Sequence, residues 1–373
     1  MEQYINIVSH SERKPIEQVD WGTIHPLTEF ELELTARCNN ACRHCYINLP
    51  AADAEAKSKE ISLEDVKRVV DEVASLGCLG CVITGGEPLL REDFSEIYLY
   101  LKRKGMLVTV FTNATLVTPE HVEMFMKYPP RDIEVTVYGA TRVTYERLTR
   151  CPGSYDMFMR GLDSLYTAGL NVKLKTMVIR SNIHEFNEIA GFCRARTDFF
   201  RFDPWLHLRY DSRKDRNEEI KAERITPAEF VAVETSDARR WEELNSSDLI
   251  LPAQDASRCN QPAEVFYCGA GRGRFTVGYD TTFRLCSSLC GRGWTYDLRN
   301  GSIQEAYTEF VEKIRSIKSH KEEYIRRCFS CRLVNICLWC PANSYLETGE
   351  LDNPVEYFCQ IAHARARAMG IEL

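Results

Sequence analysis

Six short apolar runs alternate with helix-like stretches between residues 30 and 206, and this alternation restricts the possible folds more than any other feature of the chain. FELELTA (30–36), CVITGG (81–86), LVTVFTN (107–113), DIEVTVYG (132–139), NVKLKTMVI (171–179) and FFRFDPWL (199–206) are rich in β-branched and aromatic residues, as strands are. Between them, Ser62 with Asp65 opens SLEDVKRVVDEVASLG as a near capping box and Gly77 closes it. DFSEIYLYLKRKG and YDMFMRGLDSLYTAG stop the same way at Gly105 and Gly169. Repeated strand–helix units require a parallel sheet with right-handed crossovers. Six such units fall short of the eight of a closed barrel, so the predicted class is α/β, a partial (β/α)6 TIM-type barrel with its chemistry at the strand C-terminal ends.

At 373 residues the chain has room for two or three domains, and 44% hydrophobic with 27% charged residues is an ordinary soluble composition. It has no run of about 18 apolar residues for a membrane span. The start MEQYINIVSHSERKPIEQ lacks the basic and apolar regions of a secretory signal, so the expected compartment is the cytoplasm, with no membrane partner. A formal net charge of -7 argues against a broad phosphate-binding surface and so against nucleic acid. The domain plan is an N-terminal extension over 1–29, the barrel over 30–209, a charged helical connector over 210–258 and a cysteine-rich α+β domain over 259–373, which holds nine of the 16 cysteines. In a reducing compartment so many cysteines indicate metal ligation or redox chemistry.

Three of them, Cys38, Cys42 and Cys45, lie in TARCNNACRHCYIN (35–48), immediately after the first strand. Structural zinc takes four protein ligands, whereas a cubane held by three thiolates keeps one iron open for a substrate or cofactor. This C-x3-C-x2-C spacing resembles the radical S-adenosylmethionine (SAM) superfamily; a zinc or disulfide site is the alternative. The resemblance implies a [4Fe-4S] cluster whose open iron chelates the amino and carboxylate groups of SAM, with His44, at a usually aromatic position, backing the adenine. TGGEPLL (Thr84–Leu90) ends the second strand. Its glycines allow close backbone approach to a ligand and Glu87 can pair with an ammonium. In the family this stretch, here Gly85, Gly86, Glu87 and Pro88, contacts the SAM amino group. Asn113 in FTNAT resembles the family's TNG, and Thr136 stands where the family often has a ribose contact, although threonine is also a common strand former. Lys175 and Thr176 match too loosely to assign. Asp203 and Arg209, after the sixth strand, are candidates for SAM or substrate contacts.

The C-terminal cysteines resemble the SPASM extension of radical SAM enzymes, which binds two auxiliary [4Fe-4S] clusters. That resemblance gives Cys268, Cys286 and Cys340 to the first and Cys328, Cys331, Cys337 and Cys359 to the second. The first cluster's fourth ligand is Cys259, Cys290 or none. Thr281 replaces the pattern's glycine, which implies a different turn, and Cys337 to Cys340 is one residue shorter than usual. Two zinc sites are the alternative for this domain. Cys78, Cys81, Cys151 and Cys193 read as core cysteines. His25, His121, His184, His207, His320 and His363 share no spacing and read as ordinary residues.

The implied activity is reductive cleavage of SAM to a 5'-deoxyadenosyl radical that abstracts hydrogen, most SPASM relatives acting on ribosomally made peptides to form thioether or carbon–carbon crosslinks. A small-molecule oxidoreductase acting on a cofactor or tetrapyrrole precursor is the alternative, and a zinc-stabilised scaffold is the non-enzymatic one. Ser287 follows Cys286 where sulfatase-maturing relatives carry an Asp base, so that activity is not expected. Expected partners are a low-potential donor of flavodoxin or ferredoxin type, a precursor peptide, and a separate leader-binding protein, because only 29 residues precede the first strand. No catalytic acid or base is assigned.

Overall fold

The structure, a computed structural model, describes residues 27–245 and 262–371. All six predicted strands form: β1 (Glu29–Glu33), β2 (Gly80–Thr84), β3 (Leu107–Thr112), β4 (Asp132–Thr136), β5 (Val172–Met177) and β6 (Phe200–Asp203). Each stops before the end of its apolar run, leaving those residues to the loops at the C-terminal edge. Helices α1 (Leu63–Ser75), α2 (Phe94–Arg103), α3 (Pro119–Lys127), α4 (Arg142–Thr149), α5 (Ser154–Thr167) and α6 (Phe186–Arg194) connect them. α1 starts where Ser62 Oγ accepts from Asp65 N at 3.0 Å, and it ends at Gly77 with φ 85°, a backbone that a Cβ would strain.

Adjacent strands from β1 to β6 pair in parallel and in order, as right-handed β-α units require. Alternation gives the sheet two unlike faces. Phe30, Leu32, Ile83, Val108, Val110, Ile133, Val135, Leu174 and Phe202 are buried on one, where Phe202 meets Phe186 of α6 at 5.0 Å. The other, concave in a barrel of this kind, carries Glu31, Glu33, Phe111, Glu134, Thr136, Lys173, Lys175, Arg201 and Asp203.

Three strands join this sheet from beyond residue 259, the part assigned in sequence to the cysteine-rich domain. β7 (Arg274–Val277) runs parallel to β1, pairing Glu29 with Arg274 through Leu32 with Val277. β8 (Thr282–Arg284) and β9 (Tyr296–Asp297) follow antiparallel. The nine-stranded order is β9-β8-β7-β1-β2-β3-β4-β5-β6. At the β7–β8 turn, Thr281 takes φ 63°, a left-handed backbone that glycine adopts without strain.

The chain divides into two compact units, one running up to Asp203 and including Gly269–Val311, the other comprising Pro204–Cys268 and Glu312–Leu373. The second contains α7 (Lys214–Ala222), α8 (Pro227–Thr235), α9 (Ala238–Leu244), α10 (Pro341–Thr348) and α11 (Glu356–Ala368). The segment expected as a connector is held to the C-terminal helix within this unit. Glu234 of α8 and Arg365 of α11 form a buried bidentate pair at 2.7 and 2.8 Å, and the Tyr357 hydroxyl donates to the Ile225 carbonyl at 3.0 Å. Among the described residues no helix is long and apolar enough to cross a membrane.

Candidate functional site

The chain leaves β1 as a short bridge, Arg37–Cys38, and loops through Cys42 and Cys45. Arg37 anchors the loop base: its guanidinium donates to Glu60 at 2.6 Å and to the Ala51 carbonyl at 2.8 Å, and Thr35 also bonds Glu60. The glycines of TGGEPLL fit closely against this strand end rather than leaving a gap. A methyl on Gly85 would strike the Thr35 carbonyl and one on Gly86 the Arg37 carbonyl, while Gly86 N and Glu87 N donate to those two oxygens at 2.6 and 2.9 Å. The second motif is thereby clamped to the first cysteine.

Glu87 is fully buried and accepts from Thr112 Oγ1 at 2.7 Å, Asn113 N at 2.7 Å and Leu89 N at 3.2 Å. Burial pushes its carboxyl up to about 7 against those three donors. Pro88 opens the turn that follows. Asn113 Nδ2 reaches Asn39 Oδ1 at 3.0 Å and Cys38 Sγ at 3.8 Å, so the ends of β2 and β3 both tie into the cysteine loop. Ala114, where the family's TNG has glycine, keeps a left-handed backbone at φ 62°. His44 is buried with its ring 5.4 Å from that of Tyr138. Thr136 ends β4 on the concave face, in register with Lys175.

The sequence left Lys175 unassigned and passed over Glu134 and Arg201. Lys175 Nζ lies 3.1 Å from the centroid of the Phe111 ring and 3.3 Å from Glu134, which also binds Arg201 at 3.0 Å. Burial lowers Lys175 to about 8. Its signal was present in VKLKTM, whose two lysines alternate and so share one face. Asp203 pairs with Arg201 at 3.1 Å, whereas Arg209, in the second unit, binds Asp211 at 2.6 Å.

The fifteen described cysteines are all reduced thiols; Cys259 and His25 lie outside the described residues. Cys38, Asn40 and Cys42 are buried. Burial raises the Cys38 and Cys42 thiols, and repulsion within the Cys38, Cys42 and Cys45 set raises them further. In the second unit Cys328, Cys331, Cys337 and Cys359 line one cavity of about 610 Å³. Burial, followed by repulsion from the other three, pushes Cys328 up to about 12. Tyr267, next in chain to Cys268, is raised chiefly by burial and further by the thiols Cys337, Cys328 and Cys340.

A common geometry marks these sulfurs. Backbone N–H groups two or three residues downstream approach Cys38, Cys45, Cys331, Cys337 and Cys340, each at 3.4 Å. Such donors stabilise a thiolate over a thiol. Cys340 also caps the N-terminus of α10, its sulfur accepting from Asn343 N. Cys78 does the reverse, donating to the Gly80 carbonyl at 3.5 Å, and with Cys81 and Cys193 it is buried as a core residue. Among the described residues no three His, Cys, Asp or Glu side chains close on one point as they would round a single metal ion. What fits an iron–sulfur group is the donor chemistry: buried, mutually repelling sulfurs supplied with N–H groups. Both side-chain atoms of Asn40 in the three-cysteine loop are also buried without a hydrogen-bond partner.

Comparison with known proteins gives a consistent picture. The profile of the Radical SAM superfamily matches residues 32–193. The AdoMet-dependent heme synthase of Nitratidesulfovibrio vulgaris is 24% identical over 344 residues, 85% of this chain and 88% of that protein. The mycofactocin maturase MftC of Mycolicibacterium smegmatis is 30% identical over 177 residues, 47% of this chain and 44% of that protein. SuiB of Streptococcus suis, solved with S-adenosylmethionine, shares the fold with a TM-score of 0.66 at 15% identity, covering 90% of this chain and 77% of its own. It has also been solved with its precursor peptide SuiA.

Proposed function

This chain belongs to the radical SAM superfamily, and from that premise we propose that it modifies a ribosomally synthesised peptide by abstracting hydrogen, forming a thioether or carbon–carbon crosslink. When bound, a [4Fe-4S] cluster and SAM supply a 5'-deoxyadenosyl radical able to attack an unactivated C–H bond. Cys38, Cys42 and Cys45 would hold the cluster. Gly85–Pro88 would meet the SAM amino group, His44 would back the adenine, and Asn113 and Thr136 would contact the rest of the nucleoside. Cys268, Cys286 and Cys340 would hold one auxiliary cluster and Cys328, Cys331, Cys337 and Cys359 the other. A flavodoxin- or ferredoxin-type donor, the precursor peptide and a leader-binding protein would be its partners.

One observation carries the reading: the three-thiol loop is fastened through Asn39, Asn113 and Glu87 to the ends of β2 and β3, at the strand edge where barrel chemistry sits. Reconstituted anaerobically, the protein should bind about twelve irons. With dithionite and SAM it should release 5'-deoxyadenosine. Zinc in place of iron, with no nucleoside released, would refute it.

A second reading has its own support, because the heme synthase relative matches over most of the chain. A tetrapyrrole's carboxylates would suit the Lys173, Lys175 and Arg201 row of the concave face. Mass spectrometry after turnover with a precursor peptide encoded beside the gene, or with iron coproporphyrin, decides between the two.

A further inference from the structure

Three tyrosines are wholly buried among the described residues: Tyr98, Tyr145 and Tyr324. The Tyr98 hydroxyl donates to the Tyr128 carbonyl at 2.6 Å and the Tyr324 hydroxyl to the Glu264 carbonyl at 2.7 Å, as buried phenols do. The Tyr145 hydroxyl has no hydrogen-bond partner. Leaving a buried polar group unpaired costs about 1–3 kcal/mol, a cost that a partner arriving later would remove.

Helix α4 carries Tyr145 against the three-cysteine loop. Ala41 N donates to the Thr149 carbonyl at 2.8 Å and Arg43 N to the Leu148 carbonyl at 3.2 Å, so the loop is bonded to the last turn of that helix. Tyr145, three and four residues before these, shares their buried face. The approach needs glycine at 139, where a methyl would lie 2.6 Å from Tyr145 N. The ring is stacked on Phe158 at 4.8 Å and met edge-on by Tyr138 at 5.7 Å and Tyr155 at 5.6 Å, which holds the hydroxyl in place. After burial, the charges that push this phenol up are those of Cys42, Glu87 and Cys38, in that order. Glu87 already accepts three hydrogen bonds, so the sulfurs are the better acceptors. Cys42 has one phenol donor already, the Tyr138 hydroxyl. Asn40 makes a second orphan in the same loop, since both its side-chain atoms are buried without a partner.

We propose that the Tyr145 hydroxyl donates a hydrogen bond to a sulfur of the iron–sulfur group held by Cys38, Cys42 and Cys45, and so makes that group easier to reduce. This rests on the cluster reading above. No thiol accepts from Tyr145 in the fold itself, so the acceptor is supplied when the loop takes up its iron and sulfide. Reduction adds one negative charge, spread over the sulfurs, and a fixed donor holds the reduced group more strongly than the oxidised one. The electron comes from the flavodoxin- or ferredoxin-type donor and no proton moves. A phenol suits the place, because it keeps its proton at working pH and adds no charge of its own.

The test uses the whole chain, reconstituted anaerobically with iron and sulfide, as wild type, Tyr145→Phe and Tyr98→Phe. A redox titration followed by electron paramagnetic resonance reads the midpoint of the signal that changes when SAM is added. In Tyr145→Phe the ratio of reduced to oxidised cluster at a fixed potential should fall about tenfold, a shift of about 59 mV to lower potential for one electron. Iron content and melting temperature should stay at wild-type values, since the lost oxygen has no partner in the fold. Tyr98→Phe also loses a buried hydroxyl, but one bonded to a carbonyl, and should leave the midpoint where it is. An unmoved midpoint in Tyr145→Phe overturns the proposal, as does an equal shift in Tyr98→Phe. An unmoved midpoint with SAM bound about tenfold more weakly also overturns it, because the hydroxyl would then serve the nucleotide. Wild-type protein without a SAM-responsive signal would sink the cluster reading itself, whereas such a signal with an unmoved midpoint counts against Tyr145 alone.

Discussion

The three cysteines of the first unit and the four around the cavity of the second are built on different kinds of support. Cys38 and Cys42 sit on the end of a nine-stranded sheet whose core runs from Phe30 to Phe202. Arg37, Glu60, Glu87 and Asn113 fasten their loop to the strand ends. Cys328, Cys331, Cys337 and Cys359 stand on short turns and one face of α11, over a small cluster of Leu333, Ile336, Ala362 and Ala366. A broad sheet pre-organises the first site, whereas short turns leave more of the second site's order to whatever the thiols bind.

The sharpest way to break this contrast is Cys42→Ala. Release of 5'-deoxyadenosine should fall at least about a thousandfold, because the proposed cluster loses a ligand that nothing nearby replaces. Iron should drop by about four per chain while the first unit stays folded, since only a small side chain leaves a buried loop. Loss of all iron, or of the sheet's circular dichroism, would show that the loop is as metal-dependent as the cavity. Cys337→Ala should behave differently. It too should cost about four irons, but the second unit should also open, by several kcal/mol, because metal-binding energy there is folding energy. Limited proteolysis within residues 312–371 reports this, and equal resistance in both variants would erase the distinction.

The same contrast explains what the sequence revealed. β1 to β6 were legible because period-two alternation and glycine helix stops are local signals, visible in VKLKTM or at Gly77. The pairing of β7 with β1 was not: it joins residues 245 apart, and RFTV carries no mark of its partner. The C-x3-C-x2-C loop was legible from spacing alone, but its fastening through Arg37 and Glu60 was not, because ion pairs between distant residues leave no periodic trace. Thr281 looked like a departure at a glycine position, yet it keeps a left-handed backbone, as Ala114 does, held there by its surroundings at a cost of about 1 kcal/mol.

Acidification should separate the units by sign. In the first, burial raises Glu87 and Glu33 to about 7 from 4.5. The folded form then binds more protons than the unfolded chain between those values, so stability is full below pH 4.5 and declines as pH rises through 7. In the second, burial lowers His207 to about 4 from 6.5, next to Asn343 Oδ1 at 3.0 Å. Here the unfolded chain binds the extra proton, so stability is full above pH 6.5 and is lost as pH falls toward 4. Between pH 7.5 and 5.0 the first unit should therefore gain several kcal/mol, about 2 from each carboxyl, and the second lose about 2 kcal/mol. Hydrogen exchange of β2 and β3 against α10 and α11, corrected for intrinsic rates, measures both, and changes of the same sign would contradict the assignment.

The smallest expected effect tests whether the two units unfold separately at all. Ser62 caps α1 in the first unit through Asp65 N at 3.0 Å, and Thr226 caps α8 in the second, where Glu229 returns the bond to Thr226 N at 2.8 Å. Both caps are exposed, so Ser62→Ala and Thr226→Ala remove one N-terminal hydrogen bond each without opening a cavity, and each should cost about 1 kcal/mol. If the second unit is the weaker, Thr226→Ala should lower the first calorimetric transition by a few degrees and leave the second in place. Ser62→Ala should do the opposite. A single transition that both variants shift equally would mean that the two units fold as one, and that the cysteine cavity borrows its stability from the sheet.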